Sequence, residues 1–550
     1  MRRTAPLRQN DGTPRGCPTS APFGRSCSWA AAGVRGAAMQ IVIRSTDKLR
    51  GPKALDLNPV LSALLAAARE TSTDLARLRV VGDWVQYRQN FREPVDARLI
   101  CPSAAASARA YRAGLEADAD SEAATEGAGA GLEIGVDLRR AASADLADLF
   151  RRALNGGAGG QQRDGCRLYL EDWKAESAGC IWAFNALYWR ALGLWEQATG
   201  NEYEQALPKG ESDARNVAAA QELILELFRV WDDLAAQQAL PEDLYVLELG
   251  VGNGNQARVW LDEFLRLDRE RHGGAYYRRL HYLMGDYSPH VLERARANVS
   301  SHAEHVSSLV LDARSLTQTL RFLSAKAFLI YISNVYDNLP TDEIVRLGGH
   351  LFRVEVRAFI AGATAERLAA EIGVAPSALP DLAGRLLHLG PALLAEAAAD
   401  RFHGDPLAAV ALWRALWEAL RLEERYVPIE ELDTYEVAPG ISGEILRPIV
   451  EANGDLRMHV SNGAAASFAD SMPLLHPFGV LQCHDLFVTE IDQYQSGFRG
   501  PGKYDGSVVN WVNGPLLAAI GRRRGFDVQI RRFAHRSGSN VLTLTARVRE

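Results

Sequence analysis

The sequence lacks the features that mark several common protein classes. It contains no uninterrupted apolar run of membrane-spanning length, so we predict no transmembrane helix and no membrane partner. Its 6 cysteines are scattered, with no Cys-x-x-Cys pair and no metal-binding spacing, and we expect no bound metal. This cysteine pattern fits a reducing compartment, which predicts a cytoplasmic protein. Nothing in the chain indicates a Ser-His-Asp mechanism.

The charge and the length narrow the function further. A net charge of −7 argues against a dominant surface for nucleic acid, so we expect no nucleic-acid partner. The 550 residues are 47% hydrophobic and 23% charged, which are ordinary values for globular proteins. A chain of this length is expected to form more than one folding unit.

The most informative run is Val246-Leu-Glu-Leu-Gly-Val-Gly-Asn-Gly-Asn255, where an apolar stretch leads through an acid to three glycines at alternate positions. The residues from Gln256 onward have the pattern of an amphipathic helix. Strand, glycine turn and helix form a nucleotide-binding unit, because glycine lets the backbone approach a ligand that Cβ atoms would block. The spacing is Gly-x-Gly-x-Gly, not the Gly-x-Gly-x-x-Gly that binds a dinucleotide pyrophosphate. Glu248, two residues before Gly250, suits an amine-bearing ligand better than a phosphate.

Two later apolar segments also end in an acid. A second predicted strand ends at Asp286, and Ser288 and Pro289 then have the residue types of a helix N-cap and first helical position. A third predicted strand ends at Asp312. A carboxylate at the end of a second parallel strand is well placed to accept both hydroxyls of a ribose. A single acid in this position is more often a solvated strand end, but three in register with one glycine loop favour a nucleotide-like ligand.

These segments resemble the class I S-adenosylmethionine (SAM)-dependent methyltransferases over about residues 243–345 and 464–548. The resemblance implies an α/β fold with a Rossmann-like methyltransferase sheet, mostly parallel and closed by an antiparallel hairpin. It also implies that SAM is the cofactor, with its methionine portion on the glycine loop, its ribose at Asp286 and its adenine amino group at Asp312. The cofactor-binding residues implied in this way are Glu248, Gly250, Gly252, Gly254, Asp286, Asp312 and Ala313.

Around this core we predict an N-terminal helical region and an inserted α+β subdomain. The predicted segments are a disordered or spurious N-terminal extension (1–38), a small mixed module with an Ala/Gly-rich linker (39–165), an aromatic-rich helical region (166–242), the first part of the SAM-binding core (243–349), the inserted subdomain (350–462) and the second part of the core (463–550). An organelle transit peptide is the alternative for the arginine-rich extension.

Three local predictions concern the neighbourhood of the core. Asn453-Gly454 predicts a hairpin between strands at 443–451 and 456–461. A helix capped near Thr341 is predicted to follow the fourth core strand, Ala327–Ile332. Aromatic residues at helical spacing within 167–203 predict core packing, and a lid over the cofactor or an aromatic wall for the substrate is the alternative.

A narrower resemblance involves two short stretches. Residues 336–344, Tyr-Asp-Asn-Leu-Pro-Thr-Asp-Glu-Ile, and 503–512, Lys-Tyr-Asp-Gly-Ser-Val-Val-Asn-Trp-Val, are similar to parts of the MidA-like methyltransferases. That family is linked to arginine methylation during assembly of respiratory complex I. The family motif begins with Asn-Glu where this chain has Ser333-Asn334, so the motif glutamate is missing. A guanidinium is best held by a bidentate carboxylate, which puts arginine specificity in question.

Methyl transfer from a sulfonium is an in-line displacement, so the protein mainly has to orient the acceptor. We predict that Asn334, Asp337 and His484 converge on the methyl position, with His484 or Asp337 as the base that an oxygen acceptor needs. The alternative for His484 is a core histidine whose hydrogen bonds are satisfied within its strand.

The sequence therefore predicts a SAM-dependent methyltransferase that acts on a nitrogen or oxygen acceptor of a protein side chain or small molecule. The insertion and the aromatic helices are predicted to choose that acceptor, since the cofactor pocket is common to the family. Two alternatives remain. One is a SAM-binding assembly or regulatory protein without turnover, and the less favoured one is an NAD-dependent oxidoreductase.

Overall fold

The computed structural model describes residues 26–28, 40–43, 58–83, 91–103, 131–141, 145–157, 167–203, 217–495, 500–535 and 540–549. Most of the predicted N-terminal extension and of the predicted Ala/Gly-rich linker lies outside these ranges. No helix within them combines the length and the apolar character needed to cross a membrane.

The strands are numbered in chain order. They are β1 (Ser26–Ser28), β2 (Gln40–Ile43), β3 (Leu78–Asp83), β4 (Val95–Ile100), β5 (Gly131–Asp137), β6 (Arg167–Tyr169), β7 (Lys174–Ala175), β8 (Leu244–Leu249), β9 (Leu280–Asp286), β10 (Val306–Val310), β11 (Ala327–Ser333), β12 (Glu343–Leu347), β13 (His350–Ala361), β14 (Arg421–Pro428), β15 (Glu436–Ala438), β16 (Ile441–Ser442), β17 (Leu456–His459), β18 (Leu475–Asp485), β19 (Phe487–Val488), β20 (Gly502–Tyr504), β21 (Ser507–Val509), β22 (Val512–Asn513), β23 (Phe526–Arg532) and β24 (Leu542–Val548).

The helices are numbered in the same way. They are α1 (Asn58–Glu70), α2 (Leu138–Ala141), α3 (Leu146–Gly157), α4 (Cys180–Arg190), α5 (Leu192–Thr199), α6 (Val217–Ala236), α7 (Asn255–His272), α8 (Pro289–Asn298), α9 (Leu316–Leu320), α10 (Gly362–Glu371), α11 (Leu379–Leu389), α12 (Pro391–Ala397), α13 (Ala399–Phe402), α14 (Pro406–Ala419), α15 (Arg447–Glu451), α16 (Asn462–Ser471), α17 (Asp492–Gln495) and α18 (Gly514–Arg523).

A seven-stranded sheet carries the glycine loop. Its strand order is β10-β9-β8-β11-β18-β24-β23. The strands from β10 to β18 are parallel to their neighbours, and β24 runs antiparallel to both β18 and β23. The predicted α/β sheet with a closing antiparallel hairpin is therefore confirmed as the architecture of this core.

The strand order also locates a ligand crevice. The chain runs outward from β8 to β10 and then returns to the other side of β8 as β11, so the order reverses between β8 and β11. In open α/β sheets the crevice at such a reversal, beyond the carboxyl ends of the strands, is where ligands bind. The loop after β8 lies at this point. The central strand β11 is buried from Ala327 to Ile332, as its unbroken apolar run predicts.

A second, eleven-stranded sheet joins regions that the sequence analysis treated as separate. Its main path is β1-β2-β3-β5-β4-β14-β13-β12-β17, and β6 and β7 also pair with β13. The parallel pairing of β4 with β14 places Arg98 opposite Glu424. Strands from the predicted module 39–165 and from the predicted insertion 350–462 thus belong to one sheet. Their pairing partners are far apart in the chain, so no local pattern could show it.

Two local predictions were wrong. The helix predicted after Thr341 is the strand β12, because its β-branched Ile344 and Val345 are buried between β13 and β17. The hairpin predicted around Asn453-Gly454 does not form, because 447–451 is the helix α15, which has a proline in its first turn. The amide of Asn453 donates to the Ile449 carbonyl at 2.7 Å and satisfies the end of this helix.

Candidate cofactor-binding site

The loop between β8 and α7 contains three left-handed glycines. Gly250, Gly252 and Gly254 have φ values of +69°, +57° and +78°, where other residues are strained. A Cβ at Gly254 would lie 2.7 Å from the Cα of Ala295, so this glycine lets α8 pack against the loop. A Cβ at Gly252 would lie 2.7 Å from the Tyr203 hydroxyl. The glycines are therefore needed for backbone shape and close packing as well as for any room they leave to a ligand.

Asp286, the last residue of β9, connects the second core strand to the glycine loop. Its carboxylate oxygens accept the backbone N–H groups of Gly252 at 3.2 Å and of Ser288 at 2.9 Å. Burial raises the pKa of Asp286 to about 6, against the lowering effect of these hydrogen bonds. A carboxylate has about four lone-pair positions, and the backbone of Gly252, Tyr287 and Ser288 bonds to this one, so about one position remains for a ribose hydroxyl. The position agrees with the predicted ribose contact, which stays a prediction.

The predicted cap of the following helix is confirmed. The Ser288 hydroxyl accepts the Val291 N–H at 3.4 Å, and Pro289 is the first residue of α8. A serine N-cap satisfies one of the free N–H groups at the start of a helix. This cap holds the first turn of α8 next to Asp286.

Glu248, the acid before the three glycines, is buried in the core. Its side chain is 2% exposed and accepts the Tyr282 hydroxyl at 2.5 Å within the core. Burial raises the pKa of Glu248 to about 8; the hydrogen bond from Tyr282 opposes this rise and the nearby Asp286 adds to it. The raised pKa favours the protonated form of Glu248 in the folded protein. The contact with the amino end of a cofactor, which the resemblance implies for Glu248, stays a prediction.

Asp312 follows β10, as predicted, but already has a cationic partner. Its carboxylate accepts the Arg314 backbone N–H at 2.9 Å and two guanidinium nitrogens, at 3.0 Å and 2.7 Å. Burial acts to raise the pKa of Asp312, but the hydrogen bonds from Arg314 outweigh it and lower the pKa. Ala313 is half-buried in the 3-10 turn between them. An adenine amino group would have to share Asp312 with Arg314.

The loop after β11 lies against the glycine loop. The Val335 side chain occupies the space next to Gly250 that a Cβ there would need. Asn334 is left-handed, with a φ of 51°, and its backbone N–H donates to the His484 carbonyl at 2.9 Å. The carboxylate of Asp485 accepts the next N–H groups, from Val335 at 3.1 Å and from residue 336 at 2.8 Å. Asp485, an acid that ends the fifth core strand, is the residue that shapes this loop.

Asp337 is buried beside a second carboxyl group, that of Asp485. It is 5% exposed, and its Oδ1 accepts the Asn338 side-chain amide at 2.7 Å. Burial, together with the negative charge of the adjacent Asp485, raises the pKa of Asp337 well above its ordinary value. Two carboxyl groups this close share a proton. The raised pKa favours the protonated form of Asp337 over the carboxylate that could accept a proton from a substrate.

His484 does not join Asn334 and Asp337, which corrects the predicted convergence of the three. Adjacent residues of a strand point to opposite faces, so His484 lies on the face of the sheet opposite to the side chain of Asp485. Its ring nitrogens interact with Thr543 at 2.9 Å and with Gln482 at 3.1 Å. The side chain is 3% exposed. The structure supports the alternative of a core histidine.

The aromatic helices are mainly core. Four of their rings are at most 4% exposed: Trp182, Phe184, Tyr188 and Trp195. From the same helices, the buried amide of Asn185 donates to the Asn338 carbonyl at 2.8 Å and accepts the Val508 N–H at 2.9 Å. Asn185 therefore joins the loop after β11 to β21. Sequence reasoning missed Asn185, because its partners are distant in the chain, whereas Tyr203 is one of the aromatic residues at 167–203 for which a lid over the cofactor was the alternative.

The part of the chain that the structure describes contains no group of three or more His, Cys, Asp or Glu side chains arranged to hold a metal ion. The carboxyl groups at or just beyond the carboxyl ends of β9, β10 and β18 instead have backbone or arginine partners. This donor set is suited to a polar organic ligand with hydroxyl and amino groups.

No protein-family model matches the sequence, and no curated protein matches it. Crystal structures of two members of one superfamily from Burkholderia thailandensis show some similarity. An uncharacterised protein is 12% identical over 68% of this chain and 87% of its own, with a TM-score of 0.38. A candidate methyl transferase bound to S-adenosyl-homocysteine is 13% identical over 68% of this chain and 88% of its own, with a TM-score of 0.37.

The DszA carbon methyltransferase is similar over more of the chain but less closely. It is 11% identical over 90% of this chain and 91% of its own, with a TM-score of 0.29. Likenesses at this level carry no weight for the function. Support for a function comes instead from the geometry of the loops at the carboxyl ends of the strands.

Proposed function

We propose that this protein binds SAM and transfers its methyl group to a nitrogen or oxygen acceptor. The main observation in support of this proposal is the glycine loop after β8. Its three glycines are left-handed, it lies where the strand order reverses, and the N–H of Gly252 donates to the carboxylate of Asp286. Glycine admits a ligand close to the backbone, and the carboxylate next to it suits ribose hydroxyls. The proposed binding residues are the glycine loop, Asp286, Asp312 and the backbone at Ala313.

The hydrogen bonds of the same loop argue against binding of a dinucleotide. A pyrophosphate needs free N–H groups at the start of the helix that follows the glycines. Here the N–H of Asn255 is taken by the side chain of Asn253 at 3.0 Å, and the N–H of Asn253 by the Tyr203 hydroxyl at 3.2 Å. An NAD-dependent oxidoreductase is therefore not supported.

Bound SAM would supply an electrophilic methyl group on a sulfonium. The protein then has to hold the acceptor in line and exclude water. Neither residue predicted as a base is well suited to take a proton, because the pKa of Asp337 is raised by burial and by Asp485, and His484 is hydrogen-bonded within the sheet. This favours an acceptor that is already nucleophilic, such as a neutral amine nitrogen, over a hydroxyl.

The acceptor, on a small molecule or a protein side chain, is proposed to be chosen by the insertion and the aromatic helices. Asn185 supports this, since it connects α4 to Asn338 in the loop after β11. The buried state of Asp337 and His484 supports a second candidate, a SAM-binding assembly or regulatory protein without turnover.

Calorimetry with SAM and with NAD tests the cofactor. Gly252→Val is expected to weaken SAM binding at least about tenfold, because it strains a left-handed residue and fills the space against Tyr203. Gly273→Val is the matched control. Gly273 caps the end of α7, the helix that begins at the glycine loop, and it has a φ of +63° with open space around it. The control should lose stability but keep its SAM affinity. Binding of NAD in preference to SAM would overturn the proposal.

Transfer of a tritiated methyl group from SAM to a cell lysate tests turnover. If Asp337 positions the loop as a hydrogen-bond donor, Asp337→Asn should keep at least about half of the labelling, because an amide also donates. Asp337→Ala should lose most of it. Equal loss in both variants would indicate that Asp337 acts as a base. If the wild type binds SAM but labels nothing, the regulatory candidate is favoured.

A further inference from the structure

The ends of β9 and β10 bring Asp286 and Asp312 to neighbouring positions. In the parallel register Val310 pairs with Asp286, and the N–H of Leu311 donates to the Asp286 carbonyl at 3.0 Å. Neighbouring strands lie about 4.8 Å apart, so one nucleoside can extend from the end of β9 to the end of β10. A ribose bound at Asp286 would therefore have its base on the side of Asp312.

The carboxylate of Asp312 is fully occupied by Arg314. Its Oδ1 accepts the Arg314 backbone N–H at 2.9 Å and the Nε–H at 3.0 Å. Its Oδ2 accepts the Nη2–H at 2.7 Å and shares the Nε–H at 3.2 Å. A carboxylate has about four lone-pair positions, and these contacts take all of them. An adenine amino group can bond to Asp312 only if one of them is given up.

The guanidinium is the partner that can leave. The backbone N–H of Arg314 belongs to the 3-10 turn that Asp312 caps, so this contact is part of the fold. The Arg314 side chain is 48% exposed, and an exposed ion pair contributes little to stability. Within the described residues no second carboxylate holds the guanidinium. A released Arg314 side chain would pass into water while Asp312 keeps its orientation.

We propose that Arg314 is a specificity-determining residue that competes with the adenine amino group of the cofactor for the carboxylate of Asp312. The inference rests on the proposed function and adds to it that the site contains its own competitor for the base. Binding of the cofactor opens the contact between the guanidinium and Asp312. The competition lowers the affinity only for ligands whose base carries a hydrogen-bond donor at this place.

The test compares two ligands that differ only in the base. S-adenosylhomocysteine has the 6-amino group, and its purine analogue has a hydrogen atom there. Arg314→Met removes the guanidinium and is expected to tighten S-adenosylhomocysteine binding about three- to fivefold, because an exposed ion pair no longer competes. The affinity for the purine analogue should stay within about twofold. Calorimetry on the full chain measures both.

Arg266→Met is the matched control. The Arg266 side chain is 45% exposed and is ion-paired at 2.8 Å with Glu263 and with Glu270, on α7. This variant should bind both ligands like the wild type. A second comparison places Arg314→Met in an Asp312→Ala background, where no carboxylate remains to compete for. There the substitution should change S-adenosylhomocysteine affinity by less than about twofold.

Three results would overturn the inference. Weaker S-adenosylhomocysteine binding by Arg314→Met would mean that the guanidinium holds the cofactor. Unchanged binding, or equal tightening of both ligands, would mean that Arg314 does not compete for the amino group. If the wild type binds neither ligand, the proposed function itself fails.

Discussion

The two large sheets differ in what is buried on their strands. In the seven-stranded sheet the buried faces are apolar, and most polar groups collect at the carboxyl ends, around the glycine loop. The eleven-stranded sheet buries charged side chains along the strands themselves: Arg79, Arg98, Glu133, Glu343, Glu424 and Arg457, each at most 7% exposed. The seven-stranded sheet is therefore stabilised mainly by apolar burial, whereas the eleven-stranded sheet also depends on buried ion pairs in which each charge needs its partner.

Arg457 is at the centre of this buried network. Its guanidinium donates to Glu343 at 2.6 Å and to Glu424 at 3.0 Å. Glu424 also receives Arg98 at 3.2 Å, which in turn binds Glu133 at 2.9 Å. The network thus runs from β17 and β12 through β14 to β4 and β5. Apolar contacts tolerate small shifts, but a buried ion that loses its partner is left without solvent or counter-charge. The two halves of the eleven-stranded sheet therefore depend on each other.

Breaking the buried ion-pair network should have the largest effect on the free energy of unfolding. Arg457→Met leaves Glu343 without its guanidinium partner, whereas Glu424 keeps Arg98 and Arg92, and we expect a loss of about 3–5 kcal/mol in the free energy of unfolding. Urea unfolding followed by circular dichroism measures it. The matched control is Arg447→Met, whose exposed ion pairs with Glu444 and Glu451 should contribute little. Similar losses in both variants would show that the buried network is not special.

Two buried glutamates, Glu133 of the network and Glu248 of the seven-stranded sheet, should contribute to the pH dependence of stability with opposite signs. Burial acts to raise the pKa of Glu133, but the guanidiniums of Arg98 and Arg79 outweigh it and lower the pKa to about 2 from 4.5. Stability from this lowered pKa is present above pH 4.5 and is lost as the pH falls toward 2. Between pH 5 and pH 3 the wild type should lose stability more steeply than Glu133→Gln, by up to about 1.4 kcal/mol per pH unit.

Glu248 represents the seven-stranded sheet. Its pKa is raised from 4.5 to about 8, so the native state keeps a proton that the unfolded chain releases. Stability from Glu248 is complete below pH 4.5 and falls as the pH rises to about 8. Glu248→Gln should remove this fall in a series of urea unfolding curves from pH 5 to pH 8. If the wild type and the variant have the same slope, Glu248 is ionised in the folded protein.

Removing helix caps should give the smallest difference in stability. Ser288→Ala removes the buried cap of α8 and is expected to cost about 1 kcal/mol. Ser442→Ala removes an exposed cap of the short 3-10 turn Gly443–Leu446, and we expect a loss of a few tenths of a kcal/mol at most. Thermal unfolding of both variants compares them. Equal losses would contradict the view that the cap next to Asp286 is the more important one.

The sequence by itself determined the unit of strand, glycine turn and helix at the centre of the seven-stranded sheet. The β8 strand, the three glycines, the acid Asp286 and the Ser288 cap were predicted from runs of a few residues. Such features depend on local chemistry, namely the period of apolar residues, the freedom of glycine at positive φ and the hydrogen bonding of a cap. A local pattern can be recognised wherever it occurs in a chain.

Only the tertiary structure decided which side chains meet at the site. Tyr203 reaches Asn253, Asn185 reaches Val508 and Asp485 reaches Val335 across long separations in the chain. The side chain of His484 lies on the opposite face of β18 from that of Asp485. The residues next to His484 in the sequence do not reveal which face it occupies. The strand β12 likewise formed where a helix was predicted, because β13 and β17 offered it partners on both sides. Sheet pairing and buried ion pairs depend on residues that are distant in sequence, and these distances are set only when the whole chain folds.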